Sequence, residues 1–170
     1  PMVRHVVETA LAAGLAGVRV VTGNKPAEIQ HALDGLDVTY THNPDFASGL
    51  STSLAAGTRA LDTDIDGVVV LLGDMPLITP GLIAALVAAF DPAEGRAICV
   101  PVHQGKRGNP ILWAARFFDD MTKVQGDTGA RHLIGENGEW IAEVDAGTAA
   151  IFRDIDTPEA LERLRAEKGE

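Results

Sequence analysis

Five consecutive branched aliphatics, Val68-Val69-Val70-Leu71-Leu72, run straight into Gly73-Asp74-Met75-Pro76. A run of that kind offers water no polar face. It reads as a fully buried strand and as a parallel one, because parallel sheets are covered by helices on both sides. A carboxylate follows at once, between a glycine and, two residues on, a proline. Open parallel sheets bind ligands at the carboxyl ends of their strands. The chain has no zinc-type Cys/His pattern, so an acid in that place suits a hard cation such as Mg²⁺. The same residues also suit a plain strand-ending turn in which Asp74 caps the next helix.

The rest of the chain alternates helix and strand signals. Residues 1–13 have a helical pattern with proline at the start and Gly14 at the stop. Strands are expected at 18–21, 38–41, 97–102, 110–113, 140–144 and 150–155, and helices at 26–33, 52–61, 114–121, 127–135 and 158–167. A further helix runs from Pro80 to about residue 90, with Thr79 as its cap and Pro80 in its first position. Thr157 or Asp156 would cap the last helix. Alternation of this kind predicts βαβ units in a mostly parallel sheet with helices on both faces. A turn at 104–108 breaks the alternation and makes the sheet mixed.

Length and charge narrow the function. At 170 residues, with no linker or internal repeat, the chain reads as one domain over residues 1–170. A net charge of −10 disfavours a nucleic-acid backbone as partner. It does not disfavour a single nucleotide, whose phosphates a metal and a few local donors can hold. The one cysteine, Cys99, rules out a disulfide within the chain and fits a reducing cytoplasm. No apolar run approaches the roughly 18 residues of a membrane span, and no signal peptide is visible. The P-loop, the G-x-G-x-x-G fingerprint and the G-x-S-x-G elbow are all missing. The five histidines are scattered, with no pair spaced for zinc.

Three more segments carry candidate chemistry. Asp154 and Asp156 are two residues apart at an expected strand end, so both point one way, toward a Mg²⁺ shared with Asp74 or simply as acids at the start of the last helix. Gly105-Lys106-Arg107-Gly108-Asn109-Pro110 sets two cations between glycines, which suits an anion cradle or a solvated hairpin tip. In Gly126-Asp127-Thr128-Gly129-Ala130-Arg131, Asp127 or Thr128 can cap a helix, and Arg131 on its first turns can clamp phosphate.

Taken in order, these pieces resemble the MobA-like nucleotidyltransferases, and within them most of all the molybdenum cofactor cytidylyltransferases. The matching pieces are Asn43-Pro44 with Gly49 and Ser51-Thr52-Ser53-Leu54, then 73–76, Gly108-Asn109-Pro110, 126–131 and 154–159, which span essentially the whole chain. The resemblance implies a three-layer α/β/α Rossmann-like fold. It implies transfer of a nucleoside monophosphate, CMP from CTP, to a phosphate-bearing acceptor such as the molybdopterin cofactor, with release of pyrophosphate. Asp74 and Asp156 would be the catalytic metal ligands for Mg²⁺, with Asp154 beside them. Asn43, Gly49, Ser51, Gly108, Asn109, Pro110, Asp127 and Arg131 would contact substrate, the 108–110 and 126–131 segments on the acceptor side. A molybdoenzyme or a chaperone would be the fitting protein partner, with no nucleic acid and no membrane involved.

Two departures matter. Asn109 stands where the family often has histidine. The family's first strand and its L-A-A-G-x-S-x-R-M-G segment, which holds the triphosphate, match nothing in residues 1–170. An α/β domain usually opens on a strand, so the expectation is a chain lacking an upstream piece and, as written, a poor catalyst or none. Transfer from another NTP such as GTP, a sugar-phosphate acceptor, and a non-catalytic module that keeps the fold all remain open on the sequence.

Overall fold

Thr79-Pro80 is the clearest helix start in the chain, and the computed structural model, which describes residues 1–127 and 129–155, begins helix α4 (Pro80–Ala89) there. The Thr79 hydroxyl accepts from the Leu82 amide at 3.3 Å. Helix α1 (Met2–Ala12) gives way to Gly14 at φ +71°, a left-handed stop that glycine reaches without strain. The remaining helices are α2 (Pro26–Ala32), α3 (Leu50–Arg59), α5 (Phe118–Met121) and α6 (Arg131–Glu136). The strands are β1 (Arg19–Thr22), β2 (Thr39–His42), β3 (Gly67–Val70), β4 (Ile98–His103), β5 (Lys106–Arg107), β6 (Ile111–Ala114) and β7 (Ile141–Asp145).

The strands form a mixed arrangement. β1 and β2 pair in parallel, Arg19 opposite Thr39 and Thr22 opposite His42. In the second sheet β7 runs parallel to β4, while β6 lies antiparallel to both β3 and β4. A two-residue turn at Gln104-Gly105, both at positive φ, joins β4 to β5, the twist-matched hairpin geometry.

The aliphatic run at 68–72 is corrected in two respects. β3 is antiparallel to its neighbour, and among the described residues it pairs with β6 alone, so it is a half-buried edge strand. The reason is the hairpin, which sends β6 back between β3 and β4. Helices cover both sides of the sheet in either case, and an apolar run records that cover without recording strand direction.

Alternate residues go to opposite faces. Val68 and Val70 pack with Ile98, Val100, Ile111, Trp113, Phe117 and Leu133, whereas Val69 packs with Leu86, Cys99 and Leu112. Helix α4 supplies Leu86, and α5 and α6 supply Met121 and Leu133 on the other side. The three-layer expectation therefore holds. Trp113 meets Phe117 edge-on at 6.0 Å, a favoured aromatic geometry. Burial pushes the Cys99 thiol up to about 11, with Arg96 pulling weakly the other way, so it stays protonated and unreactive at neutral pH.

Other elements differ from expectation. Residues 150–155 are not a strand. The Thr148 hydroxyl accepts from the Ala150 amide at 3.2 Å and starts a 3-10 turn, Ala149–Phe152. Residues 127–135 become helical only from Arg131, because Gly129 sits at φ +58°. The segment 114–121 is a 3-10 turn, Ala115–Phe117, followed by α5. The expected helix at 158–167 and its cap lie outside the described residues. Among the described residues no helix is long and apolar enough to cross a membrane.

Candidate functional site

Asn43 follows β2, and its amide donates to the Thr22 carbonyl at 2.7 Å. Its side chain is 2 % exposed. Nδ2 donates to Thr52 Oγ1 at 2.9 Å and Ser53 Oγ at 3.0 Å, while Oδ1 accepts from the Asp45 amide at 3.0 Å. Every polar atom of the amide is thus used inside the chain. Asn43 clamps the loop after β2 to the first turn of α3, and any part it takes in binding is a positioning one.

That clamp sets up the next contacts. Gly49, the cap of α3, has φ +106°, and a Cβ there would run into the Asp127 carboxylate and lie 3.1 Å from the Gly126 carbonyl. The Ser51 amide donates to Gly126 O at 3.2 Å. Ser51 is buried and Asp127 exposed. Asp127, distant in sequence, therefore meets Gly49 and Ser51 in the loop and first helical turn that follow β2 and that Asn43 clamps. Arg131 opens α6 and is exposed. A cleft of about 300 Å³ adjoins the clamp, lined in part by Asn43, Ser51, Thr52, Arg59 and Thr122.

A second group forms where β3 ends. Met75 is buried and anchors the turn, its amide donating to the Leu72 carbonyl at 3.3 Å. Asp74 is half-buried. The Ile155 amide donates to the Asp74 carbonyl at 2.8 Å, which brings residues 154 and 155 against the end of β3. Ile155 is buried and Asp154 exposed, as expected of neighbours on extended chain. Asp156 lies outside the described residues.

The 108–110 turn joins this second group. A Cβ on Gly108 would lie 2.7 Å from Ile151 Cγ1, and the Asn109 amide donates to the Ile151 carbonyl at 3.1 Å. Gly108 and Pro110 are buried, and the Asn109–Pro110 bond is cis. Of the two readings of Lys106 and Arg107, an anion cradle or a solvated hairpin tip, the structure shows the hairpin tip. Both side chains are exposed, and Arg107 pairs with Glu143 at 2.7 Å. Sequence reasoning also missed Ile151 and Ile155, which act through backbone atoms that no side-chain pattern reports.

The donor set near the end of β3 consists of carboxylates. Among the described residues no three His, Cys, Asp or Glu side chains gather as a complete metal cage. Magnesium does not require one, since it is commonly held by one or two carboxylates with substrate phosphates and water completing the shell. Asp74, with Asp154 next to its backbone partner Ile155, offers oxygen donors of the kind that suit that ion and not zinc.

Comparisons with known proteins agree with this fold. The sequence profile of the MobA-like NTP transferase domain family matches residues 1–141. The chain is 28 % identical to the molybdenum cofactor cytidylyltransferase of Escherichia coli over 141 residues, which cover 82 % of this chain and 69 % of that one. It is 38 % identical over 184 residues to the 3-deoxy-manno-octulosonate cytidylyltransferase of Methylorubrum extorquens, covering 98 % of this chain and 73 % of the relative. A Mycobacterium tuberculosis protein crystallised in complex with manganese superposes with a TM-score of 0.76 at 22 % identity, over 96 % of this chain and 85 % of that one.

Proposed function

The chain belongs to the MobA-like NTP transferase family, and on that footing we propose that it moves a nucleoside monophosphate, CMP from CTP, onto a phosphate-bearing acceptor, the molybdopterin cofactor, releasing pyrophosphate. The observation that carries the reading is the junction of Asp74 with Ile155, alongside the Gly108–Pro110 turn seated on Ile151. Asp154 precedes Ile155 in the chain, so a second acid lies one residue from this junction, and phosphoryl chemistry uses acids so placed to hold a metal.

In the reaction an acceptor phosphate oxygen attacks the α-phosphorus in line. A new P–O–P bond forms as the bond from the α-phosphorus to the bridging oxygen breaks, and pyrophosphate leaves with that oxygen. The attacking oxygen already carries charge at neutral pH, so no side-chain base is required. Asp74, Asp156 and Asp154 would hold Mg²⁺. When bound, that ion neutralises charge on the reacting phosphates. Gly108, Asn109, Pro110, Asp127 and Arg131 would face the acceptor, with Arg131 pairing to its phosphate. Asn43, Gly49 and Ser51 would shape the loop beside it.

The test is thermal stabilisation by CTP, GTP, ATP and UTP, each with and without Mg²⁺. It is run on this chain and on a version with the family's triphosphate segment joined ahead of Pro1. A ligand at a hundred times its Kd adds about 2.7 kcal/mol, which for a chain of this size is roughly 5–10 °C. Selective, Mg²⁺-dependent stabilisation by CTP is expected. Preference for GTP would move the assignment to another member of the family, and no shift with any nucleotide would favour a non-catalytic module.

A further inference from the structure

Helix α3 starts on Gly49, which has no side chain to cap it. The opening amides of a helix find no partner within it. One of them, on Ser51, donates instead to the Gly126 carbonyl at 3.2 Å, far along the chain. The Asp127 carboxylate lies against Gly49, so close that a Cβ there would overlap it. Negative charge is favoured at a helix start. Gly126 and Asp127 thus supply the cap that α3 lacks.

Leu50 extends this contact. A Cβ on Gly129 would lie 3.4 Å from Leu50 Cδ2 and 3.8 Å from its Cγ, so the leucine side chain covers that glycine. Leu54, one turn on along the same side of α3, packs against the core that holds Ala130, Leu133 and Ile134. Leu50 itself is 43 % exposed. It adds little to that core, and what it holds is the turn ahead of α6. Gly129, at φ +58°, is the bend in that turn, and Arg131 opens α6 two residues later. Arg131 is exposed, and among the described residues it makes no ion pair. Nothing holds its long side chain, so its aim depends on where the backbone of this turn sits.

We propose that Leu50 is a positioning residue for the acceptor. Seated on Gly129, it fixes the turn that aims Arg131, and with it the place where the guanidinium meets the acceptor phosphate. This deepens the function proposed above and rests on its assignment of Arg131 to the acceptor. Leu50 acts through Arg131 and touches no substrate. Without it the guanidinium is still present but no longer held on line, and a two-point pairing to phosphate depends on that alignment.

The experiment is a calorimetric titration of this chain with molybdopterin, with a melting curve beside each titration. The proteins are the wild type, Leu50→Ala, Leu50→Met, Arg131→Ala and the double variant Leu50→Ala with Arg131→Ala. Leu50→Ala is expected to weaken molybdopterin about fivefold. Leu50→Met keeps the volume of the side chain and should bind within about twofold of the wild type. In the Arg131→Ala background the loss of Leu50 should cost less than about twofold more, because the group it aims is gone. Melting temperatures of the Leu50 variants should stay within about 2 °C of the wild type. Unchanged affinity in Leu50→Ala, or an equal loss with and without Arg131, overturns the positioning role alone. A fall in melting temperature beyond about 5 °C does the same by making Leu50 a core residue. A wild type that does not bind molybdopterin overturns both the positioning role and the function on which it rests.

Discussion

Replacing Asp74 by asparagine is expected to lower turnover on the order of 100- to 1,000-fold or more while moving the melting temperature by no more than about 2 °C. The substitution keeps the shape of the side chain and removes its charge. The backbone contact that docks the chain's later segment uses the Asp74 carbonyl, which accepts from the Ile155 amide at 2.8 Å and survives the change. Loss of a few kcal/mol of charge stabilisation is felt in the rate, at tenfold for each 1.4 kcal/mol or so. The measurement is kcat at saturating substrates in a protein carrying the family's triphosphate segment, with a melting curve beside it. Unchanged turnover would remove Asp74 from the metal site. A large fall in melting temperature would make it a structural acid.

Asn43→Ala should show the opposite pattern. Asn43 is 2 % exposed and makes three side-chain hydrogen bonds that tie the end of β2 to the start of α3. Truncation leaves the Asp45 amide without its acceptor and opens a small void in a closed site. Removing a buried network of this kind costs about 2–4 kcal/mol, or a melting temperature lower by roughly 6–12 °C. Gly49, Leu50 and Ser51 all follow in the same loop and first turn, so ligand affinity should fall along with stability. A melting temperature within about 1 °C of wild type would show that the loop holds itself without the clamp.

These two residues show how far the sequence could be read. The candidate positions stand out in the sequence because they lie at strand ends and turns, where glycine, proline and acids are conspicuous. Thr79-Pro80 and Gly14 mark a helix start and a helix stop for local backbone reasons, and the structure places both where those reasons require. The direction of β3 was not legible, since an aliphatic run is equally at home beside a parallel or an antiparallel neighbour once helices cover it. Nor was the 3-10 turn at Ala149–Phe152, whose apolar residues suit a strand until the Thr148 cap and the Asn109–Ile151 contact are seen.

Side-chain roles divide in the same way. The sequence marks Asn43 as notable, but only burial shows that its amide is spent on Asp45, Thr52 and Ser53. Arg107 has the charge expected of an anion ligand, and only the fold reveals Glu143, 36 residues later in sequence, as its partner. The meeting of Asp74 with Ile155 is made through backbone atoms, to which residue type gives no clue.

The central claim is that this site joins a nucleoside monophosphate to an acceptor phosphate. Its most direct test is product formation. The protein, with the family's triphosphate segment joined ahead of Pro1, is incubated with Mg²⁺, molybdopterin and each of the four NTPs in turn. Released pyrophosphate is counted, and the acceptor is weighed by mass spectrometry. The account predicts one pyrophosphate for each acceptor that gains a cytidylyl group, with CTP well ahead of the other nucleotides. An acceptor of unchanged mass and no pyrophosphate with any of the four would contradict it.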